Sequence, residues 1–351
     1  MKALVLSGVK EIARRANVSI ATVDRVLHNR SGVALKTKEL IEAIIKDMDY
    51  KPNILAKRLA SKRVHRFAVL IPQENAETDY WRALLNGIQS ALNELGDFGV
   101  EISYYLFNQR DRTHFKELAD HVLGRNLDAV IVAPVFVKET KDFVFQCEGK
   151  KIRYIFLQND LPLASPLSYI GPDAFQFGRL AANMCKYLVE PHEPILVLSL
   201  RPELEADNLL AEKMKGFEDF LGEQGAAWNI MNLKIDTDMY EVFEAALAQY
   251  LENNKTNLIY VLNSQVFWVA RFFSEHQIQD IKLIGYDYSS NNIKYLEKGY
   301  IDFLICQQPL KLGYRALATL FEHFIAKKGV SRTQYMPIDI VTKENFKLYK
   351  H

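Results

Sequence analysis

Cysteine is scarce in this chain, and so is every arrangement that would put it to work. Three cysteines in 351 residues (Cys147, Cys185, Cys306) lie too far apart for a disulfide framework or a metal knuckle. They read as buried, reduced thiols of a cytosolic protein. No run approaches the ~18 apolar residues of a membrane span. The apolar stretch within the first seven residues is shorter than the ~7–15 residues of a signal-peptide core. The chain is therefore expected in the cytoplasm, with no membrane partner. Motifs of catalysis and cofactor binding are missing as well: there is no GxGxxG, GxxxxGK[ST], GxSxG, HExxH or CxxC. The eight histidines are dispersed and read mostly as surface residues. No enzyme, cofactor or metal site is expected.

Two further shortages are regional. Of 40 aromatic residues only Tyr50 precedes position 67. Acidic residues are also rare there: residues 1–66 carry 15 Lys and Arg against 6 Asp and Glu, or +9, whereas the remainder carries 29 against 37, or −8. The overall +1 conceals a small basic head on a large acidic, aromatic-rich body. Such asymmetry points to an anionic partner for the head, nucleic acid first. Composition is otherwise that of a folded protein, 49% apolar and 25% charged, with length for two to three domains.

Residues 9–27 read VKEIARRANVSIATVDRVL. Val9, Ile12, Ala13 and Ala16 recur at helical spacing, as do Val23, Val26 and Leu27. Between them, Asn17 is one of the few residues that enters a left-handed turn cheaply, and Ser19 can cap the next helix. Ala13 is small enough for two helices to cross closely. This pattern predicts a helix-turn-helix, whose second helix enters the major groove of DNA; a plain helical hairpin shares it. A third amphipathic helix over Thr37–Met48 follows, and Pro52 opens a short helix over Asn53–Ala60 flanked by Lys57, Arg58, Lys62 and Arg63.

With ATVDRVLHNRSGV (21–33) and YKPNILAKRLASKR (50–63), residues 9–72 resemble the lactose-repressor (LacI-type) regulators. The resemblance implies a DNA-facing set of Ser19, Ile20, Ala21, Thr22, Arg25, His28, Thr37, Asn53 and Leu59. Ile20 and Ala21 would offer apolar contact to base edges such as a thymine methyl. Arg25 would bond either guanine or a phosphate, and Thr22 and Thr37 would bond phosphates, which sets register without reading sequence. Leu59 matches the hinge position that wedges into the minor groove and kinks the duplex. Two departures stand out. Asp24 replaces a common Ser, placing a carboxylate near phosphates or beside Arg25. Ala34 replaces the Ser that caps the third helix, at a cost of ~1 kcal/mol.

After Arg66, apolar strands alternate with amphipathic helices. Strands are expected at Phe67–Pro72, Val100–Phe107, Ala129–Pro134, Ile152–Gln158, Ile195–Leu200, Asn229–Ile235, Leu258–Leu262, Lys282–Tyr286 and Phe303–Cys306. Helices are expected at Tyr80–Leu95 and Leu310–Lys328, among others. Such alternation predicts parallel sheets covered on both faces, here two doubly wound lobes with ligand chemistry at strand carboxyl ends. The fold class is thus a small all-α head plus an α/β body, divided as 1–51 DNA-binding domain, 52–65 hinge and 66–351 ligand-binding and dimerisation domain. The body resembles the type I periplasmic sugar-binding proteins.

The ligand-binding candidates are Tyr80, Trp81, Asn159, Lys213, Asn263, Asp287 and Gln307. Tyr80 and Trp81 precede Gly87 where that family shows a Phe-Phe pair; rings there either cover a sugar's C–H face or enter the core. Asn and Gln pair donor with acceptor, and Asp accepts twice, which matches adjacent hydroxyls. Asp287 in IGYDYS matches the family's sugar-binding aspartate, with Asn263 and Gln307 at similar matches. Lys213 stands where an Arg is frequent and lacks its bidentate fork. Phe175 and Phe177 are weaker candidates, with core packing as the alternative. The expected protein is a DNA-binding regulator acting as a homodimer, with a tetramer as the other option. It would bind a near-palindromic operator, and a small effector, a sugar first and a nucleoside or polyol next, would control it. A solute-binding protein without regulatory role is the competing class.

Overall fold

The computed structural model describes residues 8–27, 30–48, 50, 63–74, 79–161, 164–200 and 207–349. Contacts divide the chain into two units, Met1–Lys62 and Arg63–His351. Three calls of the sequence reading, His28 and the hinge helix with Asn53 and Leu59, lie outside the described residues.

In the first unit α1 (Val9–Ala16), α2 (Ile20–Leu27) and α3 (Leu35–Asp47) close around Ile12, Ala13, Ala16, Val23, Val26 and Ile41. Asn17 ends α1 in the left-handed region (φ 52°, ψ 47°), as its short polar side chain permits. The Ser19 hydroxyl accepts from the Thr22 amide at 3.1 Å and caps α2. Ala34, at the start of α3, makes no side-chain cap. Bonds from Arg14 and Arg15 hold the Glu11 carboxyl down at about 2, and Arg15 also pairs with Asp47 at 3.1 Å, tying α1 to α3.

The second unit is two α/β lobes. Five strands build each in sequence: β1 (His65–Pro72), β2 (Val100–Phe107), β3 (Ala129–Val132), β4 (Arg153–Leu157) and β5 (Ser168–Gly171), then β6 (Ile195–Leu200), β7 (Ile230–Ile235), β8 (Leu258–Val261), β9 (Lys282–Tyr286) and β10 (Phe303–Cys306). Two short strands, β11 (Thr333–Tyr335) and β12 (Asp339–Val341), add one to each sheet, giving orders β11-β5-β4-β3-β1-β2 and β12-β10-β9-β8-β6-β7. Every pairing is parallel except β12 with β10. Central strands are buried on both faces, while the edge strands β2 and β7 are partly exposed. The apolar runs anticipated this. The sequence pattern missed β5 (SYIG), β11 (TQY) and β12 (DIV), in which polar residues or glycine leave at most two consecutive apolar residues, whereas the equally short β3, β8 and β10 are apolar throughout.

The helices are α4 (Tyr80–Leu95), α5 (Arg112–Leu123), α6 (Val137–Gly149), α7 (Ala174–Leu188), α8 (Asp207–Glu223), α9 (Tyr240–Asn253), α10 (Val266–Glu275), α11 (Ser290–Glu297) and α12 (Pro309–Phe324). The chain crosses between lobes three times: from β5 to α7, from β10 to α12, and from β11 to β12. Each of the first two crossings delivers a helix to the other lobe, so α7 packs on α8 and α12 on α4. Both contacts are glycine against backbone. A Cβ on Gly87 would collide with the Leu310 carbonyl and one on Gly313 with that of Leu84; Gly178 faces the Lys213 carbonyl and Gly216 that of Phe175.

At the start of β1, Asp128 accepts from the Arg66 amide at 3.0 Å and pairs with Arg63 at 3.1 Å. His65 lies 3.5 Å from the same carboxylate. This histidine is buried, not on the surface as its dispersal suggested. Burial lowers its pKa, and packing against Phe67 and Phe324 explains why a ring stands there.

Candidate functional site

Two surfaces carry the residues singled out in the sequence. On the first unit, Val23 and Val26 turn inward and leave Ile20, Ala21 and Arg25 exposed on α2, with Ile20 half in solvent. Leu35 and Leu40 on α3 are exposed as well, so what marks Ile20 is its place in the first turn of the second helix of a helix-turn-helix, the end that approaches base edges. Thr22 is half-buried, its hydroxyl 2.9 Å from that of Ser19; Thr37 is half-buried on α3. Asp24 pairs with Arg30 at 3.3 Å.

The second surface is the cleft between the lobes, at the carboxyl ends of both sheets, where doubly wound sheets bind ligands. From the first lobe come Tyr80 and Trp81 at the start of α4, Gln109 after β2, Ala133–Val135 after β3, and Gln158 with Asn159 after β4. From the second come Leu209 and Lys213 on α8, Ser264, Gln265 and Phe267 at the start of α10, Tyr286 with Asp287 at the end of β9, and Gln307 after β10. Six of the seven ligand-binding candidates are brought together here. The exception is Asn263: it is 2% exposed and stands behind the wall, donating its amide to the Leu200 carbonyl. An Asn at a strand end served the neighbouring strand instead of the cleft. Tyr80 and Trp81 combine both readings, since their rings join the first lobe's core and also line the cleft. Phe177 is a core residue of the second lobe. Phe175 lies off this wall, lining a neighbouring recess.

Several supports were missed. Gln158 and Asp287 both have positive φ, 71° and 68°, a conformation costly outside glycine that clusters at ligand clamps. Asn292, fully buried on α11, holds the second of these turns. Its amide nitrogen lies 2.8 Å from the Tyr286 carbonyl, 2.9 Å from that of Asp287 and 3.1 Å from that of Ser264, while its oxygen accepts from the Phe267 amide at 3.1 Å. In the first lobe the Tyr169 hydroxyl lies 2.6 Å from the Pro172 carbonyl and 3.0 Å from that of Gln158, so its one proton is shared between them. Gln109 and Gln265 are strand-end amides that the rule used for Gln307 would have found.

The electrostatics centre on Asp287. Burial pushes its carboxyl up to about 6, against the pull of Lys213, and its Oδ1 has no hydrogen-bond partner. Lys213 is itself buried; its ammonium donates to the Leu262 carbonyl at 2.8 Å and stands 4.1 Å over the Tyr286 ring. Burial, the Asp287 charge and the Tyr169 group hold the Tyr80 phenol well above its usual value. The Tyr80 hydroxyl reaches Gln307 Oε1 across the cleft at 3.4 Å. Two more contacts bridge the lobes at the rim, Ser290 to Asp79 at 2.5 Å and Arg110 to Asp238 at 3.2 Å. Among the described residues no group of His, Cys, Asp and Glu could hold a metal ion, and no helix is long and apolar enough to cross a membrane.

Comparison with known proteins agrees with both surfaces. Residues 67–328 match the family model of the periplasmic binding protein domain, and residues 8–53 match that of bacterial regulatory proteins, lacI family. Catabolite control protein A of Staphylococcus xylosus is 29% identical over 140 residues, which is 39% of this chain and 40% of that protein. The chain thus matches well under two thirds of the length of that relative. A solved structure from Bacteroides fragilis, provisionally described as a LacI transcriptional regulator, superposes with a TM-score of 0.75 at 28% identity, covering 82% of this chain and all of that one. GanP, a glucose-galactose binding protein from Geobacillus stearothermophilus, superposes at 0.69 with 22% identity, covering 81% and 99%, a likeness of fold. With both of its parts matched in this order, the chain belongs to the lacI family of bacterial regulatory proteins, and its body is a periplasmic binding protein domain.

Proposed function

We propose that this protein is a sequence-specific, DNA-binding transcriptional regulator whose operator affinity is set by a small ligand, a sugar, held between the two lobes. The observation that carries the reading is the presence, in one chain, of a helix-turn-helix with an exposed apolar reading face and a cleft with polar groups left open. Ile20, Ala21 and Arg25 face bases or adjacent phosphates, and Ser19, Thr22, His28, Thr37 and Asn53 fix register on the backbone. Leu59 wedges the minor groove at the operator centre. The chain acts as a homodimer, because a near-palindromic operator mirrors a two-fold axis, and it works in the cytoplasm, where DNA is. It is not an enzyme, and needs no cofactor or metal. Closure of the lobes on ligand changes the presentation of the two hinge segments, 52–65, so ligand and operator affinities are coupled reciprocally.

The test is operator binding by fluorescence anisotropy with the full chain, across salt and with candidate sugars. With +9 on the head, affinity falls steeply with salt, with a slope of several released counterions per dimer. A ligand that occupies the cleft shifts the curve. Operator retention by residues 67–351 alone, or operator affinity that no small molecule changes, overturns the reading.

A further inference from the structure

At the amino ends of the strands, away from the cleft, the repeated frame of the two lobes carries opposite charge. In the first lobe the helix-to-strand turns are 96–99, 124–128, 150–152 and 325–332. They hold six basic residues (Arg125, Lys150, Lys151, Lys327, Lys328 and Arg332) against two acidic ones, or +4. In the second lobe the turns are 189–194, 224–229, 254–257, 276–281 and 298–302. They hold Lys255 and Lys298 against four acidic residues, or −2. Helix carboxyl ends favour cations, but that preference is common to both lobes and does not account for the difference.

Most of the first lobe's positive charges converge on one corner. The Asp128 amide donates to the Arg66 carbonyl at 2.9 Å and the Arg153 amide to the Asp128 carbonyl at 3.1 Å, so β1, β3 and β4 start side by side. Arg153 thereby stands beside the turn that carries Arg125 and directly after the one that carries Lys150 and Lys151. The end of α12 closes over the same corner, with the Phe324 ring 5.6 Å from that of His65. Burial lowers the pKa of His323, and the charges of Arg153 and Lys327 add to that shift. Burial also lowers His65, where Asp128 opposes and Arg63 and Lys327 add. Arg125, Lys150, Lys151, Arg153, Lys327 and Lys328 are all exposed. Three carboxylates at this end are engaged: Asp128 by Arg63 at 3.1 Å, Glu101 by Arg66 at 3.2 Å, and Glu148 by the Tyr154 hydroxyl at 2.6 Å.

The chain enters the body at this corner, through Arg63. Leu59 lies four residues earlier, so at most about 14 Å of chain separates the two, whatever path it takes. Resting on the reading of the chain as a DNA-binding regulator, we propose that this corner of the first lobe is a second DNA contact. Arg125, Lys150, Lys151 and Arg153 meet backbone phosphates beside those reached by the hinge segment. The contact adds affinity and no sequence preference, because phosphates carry no base identity. Residues 67–351 carry −8 and do not hold DNA alone; tethering by the head supplies the effective concentration at which the corner engages.

The experiment uses the full chain and the duplex it selects from a random-sequence pool, with binding read by fluorescence anisotropy across salt. Arg125→Gln, Lys150→Gln and Arg153→Gln combined are expected to weaken binding about tenfold or more near 0.1 M salt. The slope of log affinity against log salt should become shallower by about 2 or more, since each phosphate contact contributes about 0.9. The selected sequence should stay the same. Lys255→Gln with Lys298→Gln, in the corresponding turns of the second lobe, is expected to leave affinity and slope unchanged. All five side chains are exposed, so thermal unfolding of both variants should match the parent. Parental affinity and slope in the triple variant would assign the corner to another partner, such as an acidic protein. Equal effects of the two variants would reduce it to net charge. Either result overturns the inference and leaves the regulator reading standing, whereas a chain that selects no sequence overturns both.

Discussion

At the end of β4 and again at the end of β9 the chain makes the same turn. Gln158 and Asp287 follow the fourth strand of their lobes, take φ of 71° and 68°, and donate their amides to Ile170 and Ile305 on the next strand, at 3.2 and 3.1 Å. The two lobes also exchange helices in the same way, through glycine-on-backbone crossings. The scaffold is repeated, and the chemistry it presents is not. In the first lobe the turn carries an amide that bonds the Tyr80 phenol. In the second it carries a carboxylate with an open oxygen, backed by a buried lysine and by Asn292. A duplicated frame thus offers a ligand one predominantly aromatic and amide wall and one charged wall. The second is expected to dominate affinity.

The largest expected effects test the shared frame. Gly87→Ala and Gly178→Ala should each cost about 3 kcal/mol or more in denaturant unfolding, because the added methyl meets a helix carbonyl and only backbone movement relieves it. Similar losses would support equivalence; one tolerated substitution would break it.

The supports of the two turns come next. Asn292→Ala strips hydrogen bonds from a fully buried position and should destabilise by about 2–3 kcal/mol, whereas Tyr169→Phe removes one hydroxyl and should cost about 1 kcal/mol. Equal effects would mean the second turn is no more heavily braced than the first.

Ligand binding should then separate the walls. Asp287→Ala should weaken binding by tenfold or more, since about 1.4 kcal/mol is a factor of ten and a hydroxyl left unpaired in a dry cleft costs ~1–3 kcal/mol. Gln158→Ala should weaken it about threefold. Calorimetry on both variants gives the ratio, and a larger effect at Gln158 would reverse the comparison.

Acid should act on the second wall. Above pH 7 the Asp287 carboxyl is ionised and accepts from the ligand; as pH falls through about 6 it protonates, and affinity should drop towards tenfold per unit. Tyr80 and Cys306, which burial and the Asp287 charge hold well above their usual values, stay neutral across this range. Stability without ligand runs the other way. A carboxyl raised from 3.8 to about 6 by folding favours the folded state most below pH 4 and loses about 3 kcal/mol of that advantage as pH rises through 6. A flat affinity profile between pH 5 and 7 would remove Asp287 from ligand contact.

The smallest effects belong to the rim. Arg110 and Asp238 are substantially exposed, so Arg110→Ala should change stability by less than about 0.5 kcal/mol and ligand affinity by less than about threefold, with the difference vanishing at high salt. A tenfold loss would make the rim, and not the walls, the determinant of closure.

Residue types and spacing alone determined the part of this protein that depends on local physics. A left-handed Asn17 and a capping Ser19 between two apolar stripes are enough for a helix-turn-helix, because both act within a few residues. Long apolar runs between amphipathic helices are enough for parallel sheets, and the strand ends after such runs point to Asn159, Asp287 and Gln307; the family resemblance added Tyr80, Trp81 and Lys213, and all six line one cleft. Tertiary structure decided the rest. Asn263 and Asn292 are the same residue type near neighbouring strand ends, yet one holds the Leu200 carbonyl and the other the Asp287 turn. No local pattern separates them, because the carbonyls they meet come from distant segments. The glycines at 87, 178, 216 and 313 look alike to any propensity scale, and only the crossing helix makes them irreplaceable. The open oxygen of Asp287 is likewise a tertiary fact: its environment is set by Lys213, 74 positions earlier in the chain, and by the opposite lobe, and hydrogen-bond satisfaction is decided by packing and not by sequence neighbourhood.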